Sequence, residues 1–499
     1  MLSSSSSSSA DQYQRFLIDQ AYIGGQWRPA VSGSRFDVLN PATSEVIGQA
    51  AECSIEDAQA AVAAAKDAFP SWSTTTAKER AQLLQRLYKL QLDNAESLAR
   101  LITAEMGKPL REARGEIGYG ASFLEWFAEE ARRINGSILQ SPWKDKQLSY
   151  RKEACGVAGI ITPWNFPNAM ITRKLGAALA AGCTVVINPA EDTPYSALAL
   201  AALAEEAHFP PGVINVVPTS RQKTPEIGNF ICDTPDISVI TFTGSTEVGK
   251  LLLKRGANTV KRIVMELGGD APFIVFDSAD VQRAVEGSIV AKFRNAGQTC
   301  VCANRIFVQE GIHDQFVAAL AAKMSSELVI GNGMDEKTTV GPLINDRAVE
   351  KVKSHVEDAL SKGAKLVQGG KKLTAKNNCY FYEPTLITGA TKEMIIAKEE
   401  TFGPVAAIFK FKTEEEVLRH ANNCRRGLAG YFYSRDYAQI ERVARKLEVG
   451  MIGINDGLLS TCEAPFGGVK ESGLGREGSH FGVDEFLHVK YVCLGGLQF

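Results

Sequence analysis

The sequence has 499 residues, of which 45% are hydrophobic and 22% are charged, and its formal net charge is −2. A chain of this length and composition can bury a large core in several domains of a globular protein. The balanced charge, with no run of like charges, argues against a nucleic-acid or membrane-surface partner, so an anionic substrate would need local arginines.

The first residues, MLSSSSSSSADQYQRFL, are Ser-rich and lack the apolar stretch of a secretory signal. We expect a disordered tail over residues 1–15. Serine richness is typical of organelle transit peptides, but Arg15 is the only basic residue before Arg28, and Asp11 and Asp19 are acidic, which argues against that interpretation.

The next segments predict a hairpin followed by helices. FLIDQAYIGGQWRPA is typical of two short strands around Gly24 and Gly25. A first helix should begin at Ser54, because Asp57 lies at the spacing of a capping box. A second helix is predicted over residues 76–106, where the sequence Gly-Lys-Pro that follows should end it.

From about Gly156 onward, apolar strands alternate with helices over short connections. The predicted strands of this region lie in VAGIITPW, CTVVINPAEDTP, FPPGVINVV, VITFTGS and RIVMELGG. A second alternating region, residues 271–462, contains APFIVF, ANRIFVQ, AAIFKF and VGMIGIN. The pattern predicts two α/β units, each a parallel sheet covered by helices, and residues 147–153 and 487–494 should form extended arms outside them.

Ten cysteines are scattered along the chain without a CxxC pair or the Cys/His spacing of a zinc site. This argues against a bound metal and favours a reducing compartment. Cys300, in FRNAGQTCVCANRIFV, follows small and polar residues and precedes an apolar strand. Backbone N–H groups in such a turn can lower a thiol pKa and stabilise an oxyanion, so Cys300 is a candidate nucleophile. A buried structural cysteine explains this segment alone equally well.

Two further segments supply matching chemistry. Glu266 follows a predicted strand and precedes Gly268 and Gly269, which allow a tight turn beside a ligand, so it is a candidate general base. Asn165, in TPWNFP, is held between prolines and aromatic residues and could donate to an oxyanion. Taken singly, the glutamate could be a solvated loop residue and the asparagine a turn residue.

Together these segments closely resemble the aldehyde dehydrogenase family, and the resemblance extends from about Phe36 to Leu497. Its motifs occur in the family's order, namely PWNFP, FTGSTEVG, ELGG, GQTC, EETFGPV and PFGGVKESGLGRE. The resemblance implies an α/β fold with a Rossmann-like cofactor domain, an α/β catalytic domain and a small β oligomerisation arm. The domains expected are residues 16–140 with 156–265 for the cofactor, 266–465 for catalysis, and 141–155 with 485–499 for the arm.

The resemblance also implies the catalytic roles. Cys300 would attack the aldehyde carbon, while the Asn165 side chain and the Cys300 backbone N–H stabilise the oxyanion. Glu266 would activate the water that hydrolyses the thioester. Lys174 matches a family position that helps to relay protons, although a surface lysine is the plain alternative.

NAD is the cofactor that the resemblance implies. Gly244, Gly249 and Lys250 also fit a P-loop spacing, but Leu251 stands where that motif needs Ser or Thr. In the family, Ser245 and the following helix meet the pyrophosphate. Glu191 would hold the adenosine ribose and repel a 2′-phosphate, which favours NAD over NADP. The remaining cofactor positions are Thr162, Pro163, Trp164, Leu267, Gly268, Glu400 and Phe402.

Asn188 departs from the family pattern, which usually has lysine at this position as a second ribose contact. Its presence predicts weaker cofactor binding, with the largest loss for NADP. Asp270 is a second departure, because the family seldom has an acid at that position, and the sequence assigns it no role.

Within the family, the resemblance is strongest to the branch that oxidises succinic semialdehyde. It is carried by NFPNAMITRK, FRNAGQTCVCANR, GLLSTCEAPFGG and HVKYVCLGGL. Arg173, Arg294 and Ser460 match the residues that bind the substrate carboxylate there, and arginine forks suit that task. Surface salt bridges are the alternative for the arginines. Members of this branch with a pair such as Cys300 and Cys302 form a reversible disulfide, which predicts a redox switch; a packing role for Cys302 is the alternative.

Three functions remain open at this point. The first is oxidation of succinic semialdehyde, or of another carboxylated or aliphatic aldehyde. The second is a cofactor-independent thiol hydrolase or acyltransferase, and the third is a scaffold without activity. The resemblance implies a homotetramer or homodimer, and a place in the mitochondrial matrix, or in the cytoplasm of a prokaryote.

Overall fold

Residues 13–373 and 380–497 are described by the computed structural model of the chain. Its helices are α1 (Ile55–Ser73), α2 (Ala77–Asp93), α3 (Ala95–Met106), α4 (Leu110–Glu130), α5 (Ala169–Ala181), α6 (Pro194–Glu206), α7 (Thr224–Asp233), α8 (Thr246–Gly256), α9 (Val281–Phe293), α10 (His313–Glu327), α11 (Asp346–Ser361), α12 (Glu414–Asn422), α13 (Tyr437–Lys446) and α14 (Phe481–Asp484). Within these two ranges, none of the helices is long and apolar enough to span a bilayer.

The strands are β1 (Ala21–Ile23), β2 (Gln26–Arg28), β3 (Arg35–Leu39), β4 (Val46–Ala51), β5 (Ser137–Leu139), β6 (Gln147–Ala154), β7 (Val157–Ile161), β8 (Thr184–Asn188), β9 (Ile214–Val216), β10 (Ile237–Thr243), β11 (Arg262–Glu266), β12 (Ala271–Val275), β13 (Ala303–Gln309), β14 (Lys365–Gln368), β15 (Thr385–Thr388), β16 (Val405–Phe411), β17 (Arg426–Gly427), β18 (Ala429–Tyr433), β19 (Met451–Ile454), β20 (Val469–Lys470), β21 (Gly473–Leu474) and β22 (Leu487–Leu494).

The first sheet has eight strands in the order β2-β1-β9-β8-β7-β10-β11-β21. The five strands from β9 to β11 are parallel, and antiparallel strands close both edges. Every residue of β7 and β8 is buried, because helices cover both faces of the sheet, and this explains their continuous apolar sequences.

The second sheet has seven strands in the order β14-β15-β16-β13-β12-β18-β19. All its pairs are parallel except β14 with β15. Four residues, 267–270, connect β11 of the first sheet to β12 of the second. This short connection places the carboxyl ends of the first sheet's strands beside the second sheet.

The predicted α/β architecture, the hairpin at Gly24 and Gly25 and the capping box at Ser54 are confirmed. The predicted extended arms are the strands β6 and β22. They pair antiparallel with each other, and β5 pairs with the other edge of β6. The domain boundaries remain predictions. Most of the predicted N-terminal tail lies outside the described residues, while Gln14–Phe16 form a 3-10 helix whose Phe16 is buried.

The single helix predicted over residues 76–106 is wrong. Asn94 divides it into α2 and α3, since its backbone leaves the helical region and its side-chain amide donates to the Leu90 carbonyl at 2.8 Å. An asparagine side chain competes with the helix backbone for hydrogen bonds in this way. The predicted stop at Gly107 is confirmed, because this residue ends α3 in the left-handed conformation.

Candidate active site

Cys300 lies between a 3-10 turn, Arg294–Gly297, and strand β13. The three residues Asn295, Ala296 and Gly297 have φ values of 53°, 53° and 76°, a left-handed run that is costly for residues with a Cβ. A side chain at Gly297 would lie 2.2 Å from the Gly403 carbonyl oxygen. The run turns the chain sharply just before the nucleophile.

The thiol of Cys300 is held in its neutral form by burial, which raises its pKa to about 12. The nearby Arg173 and Arg294 lower this pKa, while the carboxyls of Glu400 and Glu266 raise it. Contrary to the expectation that the turn can lower the thiol pKa, this pKa is raised, because desolvation outweighs the charges of the two arginines.

Asn165 is fixed beside the Cys300 loop. Its side-chain Nδ2 donates to the backbone carbonyl of Gln298 at 3.0 Å, and its backbone carbonyl accepts from Asn295 Nδ2 at 3.0 Å. The Asn165 side chain is buried, and its Oδ1 has no hydrogen-bond partner within the described parts of the chain. Because Nδ2 carries two N–H bonds, one remains for an oxyanion after the bond to Gln298.

Lys108 supports the same asparagine, a role that the sequence motifs do not predict. Its Nζ donates to the Asn165 carbonyl at 2.8 Å and pairs with Glu116 at 2.5 Å, and both charged side chains are fully buried. Glu116 in turn accepts from the backbone N–H groups of Asn168 and Ala169, where α5 begins. This network joins α4, α5 and the Asn165 loop.

Glu266 is the last residue of β11 and is buried. Neither carboxyl oxygen has a hydrogen-bond partner among the residues described. Burial, followed by the charge of Glu477, raises its pKa well above the usual carboxyl range, and Arg173 and Lys174 act in the opposite direction. A buried carboxyl with a raised pKa at the edge of the sheet is a candidate proton-transfer group.

Arg173 and Lys174 are fully buried neighbours on α5, and both pair with Glu477. Lys174 also donates to Thr243 Oγ1 at 2.6 Å, and burial lowers the pKa of its ammonium group. A surface position for either residue is therefore excluded. Glu477 was missed as a functional residue, although it ends the quoted motif PFGGVKESGLGRE.

Arg294 and Ser460 line the same cavity, together with Thr299 and Val301, the residues on either side of Cys300. The Arg294 guanidinium lies 5.3 Å from the Phe166 ring centroid. The structure thus brings two of the three predicted carboxylate-binding residues to one cavity beside the neighbours of Cys300. Arg173 does not line this cavity; it pairs with Glu477 and lies close enough to Cys300 to lower the pKa of its thiol.

The predicted cofactor residues follow the carboxyl ends of neighbouring parallel strands, where open α/β sheets bind ligands. Thr162, Pro163 and Trp164 follow β7, Asn188 ends β8, Gly244 and Ser245 follow β10, and Leu267 and Gly268 follow β11. Ser245 caps α8 by accepting from the Val248 N–H at 3.2 Å. A side chain at Gly249 would lie 2.4 Å from Leu267, so this glycine allows α8 to pack closely against the sheet.

The two residues predicted for the ribose contact, Glu191 and Asn188, have different surroundings. Glu191 accepts from Arg221 at 3.4 Å and is partly exposed. Asn188 is buried and its Nδ2 donates to the Val217 carbonyl at 2.9 Å, next to β9. The amide of Asn188 is therefore engaged within the sheet, and Glu191 remains the carboxylate available to a ligand.

Glu400 and Phe402 approach the cleft from the second sheet. Glu400 Oε1 accepts from the Gly269 N–H at 3.2 Å, and burial raises the pKa of its carboxyl to about 7. Phe402 has a φ of 55°, and its ring lies edge-on to Trp164 with the centroids 5.6 Å apart. An apolar wall and hydrogen-bonding carboxyls thus flank the strand ends, which fits a dinucleotide that bridges both sheets.

Cys302 is buried two residues after the nucleophile, and its Sγ donates to the Lys292 carbonyl at 3.4 Å. Cys300 and Cys302 are both free thiols. The predicted redox switch between them stays a prediction.

The sequence profile of the aldehyde dehydrogenase family matches residues 27–492. Among curated proteins, the mitochondrial succinate-semialdehyde dehydrogenase of Rattus norvegicus is 58% identical over 98% of this chain and 92% of its own length. The 3-sulfolactaldehyde dehydrogenase of Pseudomonas putida is 53% identical over 97% of this chain and 98% of its own.

Solved structures agree with this match. A succinate-semialdehyde dehydrogenase from Burkholderia pseudomallei superposes with a TM-score of 0.94 at 52% identity, covering 96% of this chain and 98% of its own. An NADP-dependent enzyme of E. coli gives 0.94 at 49% identity, with 97% and 99% covered. A betaine aldehyde dehydrogenase from Staphylococcus aureus, in complex with NAD+, gives 0.93 at 36% identity, with 97% of each chain covered.

Proposed function

The chain belongs to the aldehyde dehydrogenase family, and on that premise we propose that it oxidises succinic semialdehyde to succinate with NAD. The observation that carries the proposal is the cavity in which Arg294 and Ser460 meet the two neighbours of Cys300. A cation and a hydroxyl grouped around the residues that flank the thiol suit an aldehyde that ends in a carboxylate.

In the proposed reaction, the Cys300 thiol first loses its proton, and Glu266 is the nearby carboxyl suited to accept it. The sulfur then bonds to the aldehyde carbon, and the carbonyl oxygen becomes an oxyanion. The free N–H of Asn165 Nδ2 and the backbone N–H of Cys300 stabilise that charge. NAD, when bound, supplies the hydride acceptor that turns this adduct into a thioester.

Hydrolysis of the thioester completes the cycle. Once Glu266 has passed on the proton of the thiol, it takes a proton from water, and the resulting hydroxide attacks the thioester carbon. The carbon–sulfur bond then breaks, and succinate leaves as the sulfur takes up the proton of the new carboxyl group. The pair formed by Lys174 and Glu477 lies next to Glu266 and gives a buried path for its proton. Arg173 also pairs with Glu477 and holds the Glu477 carboxylate in place.

Cofactor choice follows from the ribose end of the cleft. The Glu191 carboxylate accepts hydrogen bonds from ribose hydroxyls and repels a 2′-phosphate, which supports NAD over NADP. The Staphylococcus aureus relative was solved with NAD+. Ser245 and the first turn of α8 would meet the pyrophosphate, and Glu400 and Phe402 would meet the nicotinamide end.

A homodimer or homotetramer, assembled through the arm, is also part of the proposal. The outward residues of β22 include Val489, Tyr491 and Leu494, which are 62%, 57% and 52% exposed. An edge strand with such exposed apolar side chains would promote aggregation of a monomer, which supports a role of this strand in assembly. The mitochondrial name of the Rattus norvegicus relative supports the matrix as the location.

Initial rates test the proposal. Purified enzyme is given NAD with succinic semialdehyde, glutaric semialdehyde or butanal, and reduced nicotinamide is followed by absorbance. Succinic semialdehyde should have the highest kcat/KM, and Cys300→Ser should lower kcat by about three orders of magnitude or more. Aldehyde-independent ester hydrolysis at an undiminished rate, with no nicotinamide reduction, would instead establish the thiol hydrolase.

A further inference from the structure

Asp270 ends the segment that joins the two sheets, and its side chain is 1% exposed. Both carboxylate oxygens accept hydrogen bonds. Oδ1 accepts from Asn304 Nδ2 at 2.7 Å, and Oδ2 accepts from the Cys424 thiol at 3.2 Å. Arg305 Nε lies 3.1 Å from Oδ2 as an ion pair, while the Arg305 N–H groups donate to the Asp270 backbone carbonyl. A buried carboxylate is costly unless its oxygens are used in this way.

Asn304 links Asp270 to the loop of residues 399–402, which contains Glu400 and Phe402. Its Oδ1 accepts from the Thr401 N–H at 2.9 Å, and its Nδ2 also lies 3.1 Å from the Glu399 carbonyl. Because a carboxylate can only accept, Asp270 makes the shortest of the contacts that orient the Asn304 amide, together with the Ile396 and Glu399 carbonyls. The amide oxygen is thereby directed at Thr401, which stands between Glu400 and Phe402.

Gly269, one residue before Asp270, makes a second contact with the same loop. The Gly269 N–H donates to Glu400 Oε1 at 3.2 Å, so residues 269 and 270 hold both the backbone and the side chain of the loop. Phe402 has a left-handed φ of 55°, and such a conformation persists only where its surroundings define it strongly. The bond to Thr401 is next to that residue.

We propose that Asp270 is a positioning residue for the nicotinamide end of the cofactor site, acting through Asn304 on Glu400 and Phe402. The inference rests on the proposed function in one respect, since Glu400 and Phe402 must contact the cofactor. Arg294 and Ser460 belong to a different cavity, so Asp270 sets affinity for the cofactor and leaves affinity for the aldehyde unchanged.

The choice of aspartate follows from the donors it faces. Asn304 Nδ2 donates to one carboxylate oxygen, and the Arg305 guanidinium forms an ion pair with the other at 3.1 Å. An asparagine has a single carbonyl, for which Asn304 and the Arg305 cation would compete. With the Arg305 charge removed, however, an asparagine could turn its carbonyl to Asn304 and restore the bridge.

The dissociation constant of NADH is measured by fluorescence on the full-length enzyme for D270N, R305Q, D270N/R305Q and the control C424A, together with Tm and the KM for succinic semialdehyde. We expect D270N to weaken NADH binding about ten-fold, the effect of losing one hydrogen-bonded bridge. The other three variants should bind within about two-fold of the parent, since each keeps an acceptor for Asn304.

Stability separates positioning from a merely structural role. D270N and R305Q both break the buried ion pair and should both lower Tm, but D270N alone should weaken NADH binding, with KM for the aldehyde unchanged. Unaltered NADH affinity in D270N, or affinity that follows Tm through the series, overturns the inference. A parent enzyme that binds NADH but does not oxidise succinic semialdehyde rejects the proposed substrate, and the affinity series still decides the role of Asp270.

Discussion

Lys108 Nζ donates a buried hydrogen bond of 2.8 Å to the backbone carbonyl of Asn165, a residue 57 positions away in sequence. The amide expected to stabilise the oxyanion is thus positioned by a buried cation on the segment between α3 and α4. The charge of that cation is balanced by Glu116, which also caps the helix bearing Arg173 and Lys174. One ion pair therefore supports both the oxyanion site and the proton-transfer residues.

Replacing Lys108 with methionine should lower the free energy of unfolding by roughly 3 kcal/mol, because it leaves the Glu116 carboxylate buried without its partner. The double variant Lys108→Met/Glu116→Gln should recover much of this loss, yet its kcat should stay low because Asn165 has lost its support. Urea unfolding and steady-state kinetics measure the two effects. Lys144→Met, at an exposed position, is the control; full recovery of kcat in the double variant would refute the positioning role of Lys108.

Arg294→Met should raise the KM for succinic semialdehyde by about ten- to one-hundred-fold, the effect of losing a charge-assisted hydrogen bond, while the KM for butanal changes little. Ser460→Ala should have a smaller effect in the same direction. Arg111→Met is a matched control, because Arg111 lines a neighbouring cavity with Arg294 but does not line the one beside Cys300. Equal losses for the charged and the uncharged aldehyde would show that Arg294 does not bind the carboxylate.

Asn188→Lys should strengthen cofactor binding, with the larger gain for NADP. The Asn188 amide is engaged with the Val217 carbonyl, whereas a lysine at this position would extend toward the ribose and place a positive charge opposite the 2′-phosphate. Fluorescence titration with NADH and NADPH measures both affinities, and Glu191→Gln serves as the comparison that removes the opposing carboxylate. If the ratio of the two affinities did not change in Asn188→Lys, the assignment of this position to the ribose site would be wrong.

Alkylation of Cys300 by iodoacetamide in the cofactor-free enzyme should accelerate about ten-fold per pH unit from pH 7 to pH 10. Burial raises the thiol pKa to about 12, so the thiolate is the minor form throughout this range and its fraction grows with pH. The exposed Cys493 is replaced by alanine in all samples, and Cys300→Ala gives the background. A rate that levels off below pH 9 would contradict the raised pKa.

Much of the site could be predicted because it is local in sequence. Cys300, Glu266 and Asn165 each stand beside an apolar strand, and turn residues there indicate the strand ends. Parallel strands bring such ends to one edge of a sheet, so the approximate position of the cofactor cleft follows from periodicity together with the family motifs. The extent of the α/β regions was predicted for the same reason.

The buried charges could not be predicted in this way. Lys108, Arg173 and Lys174 belong to the residue types that are usually exposed, and their partners are distant in sequence. The sequence does contain a signal for Arg173 and Lys174, because the segment AMITRKLGAALAA has no other charged residue. A helix this apolar is expected to be buried, and every residue of α5 is. The pKa of Cys300 was predicted in the wrong direction, since a sequence shows the nearby dipoles but not the depth of burial.

The four residues 267–270 are the whole covalent connection from β11 to β12, and Glu266 and Asp270 stand at its two ends. Because the connection is this short, a change in the angle between the two sheets would move Glu266 at one end and the bridge from Asp270 to Asn304 at the other. The positions of these two carboxyl groups are therefore coupled through the backbone. Lengthening the connection by a single glycine would uncouple them, leaving both sheets folded and the turnover slow.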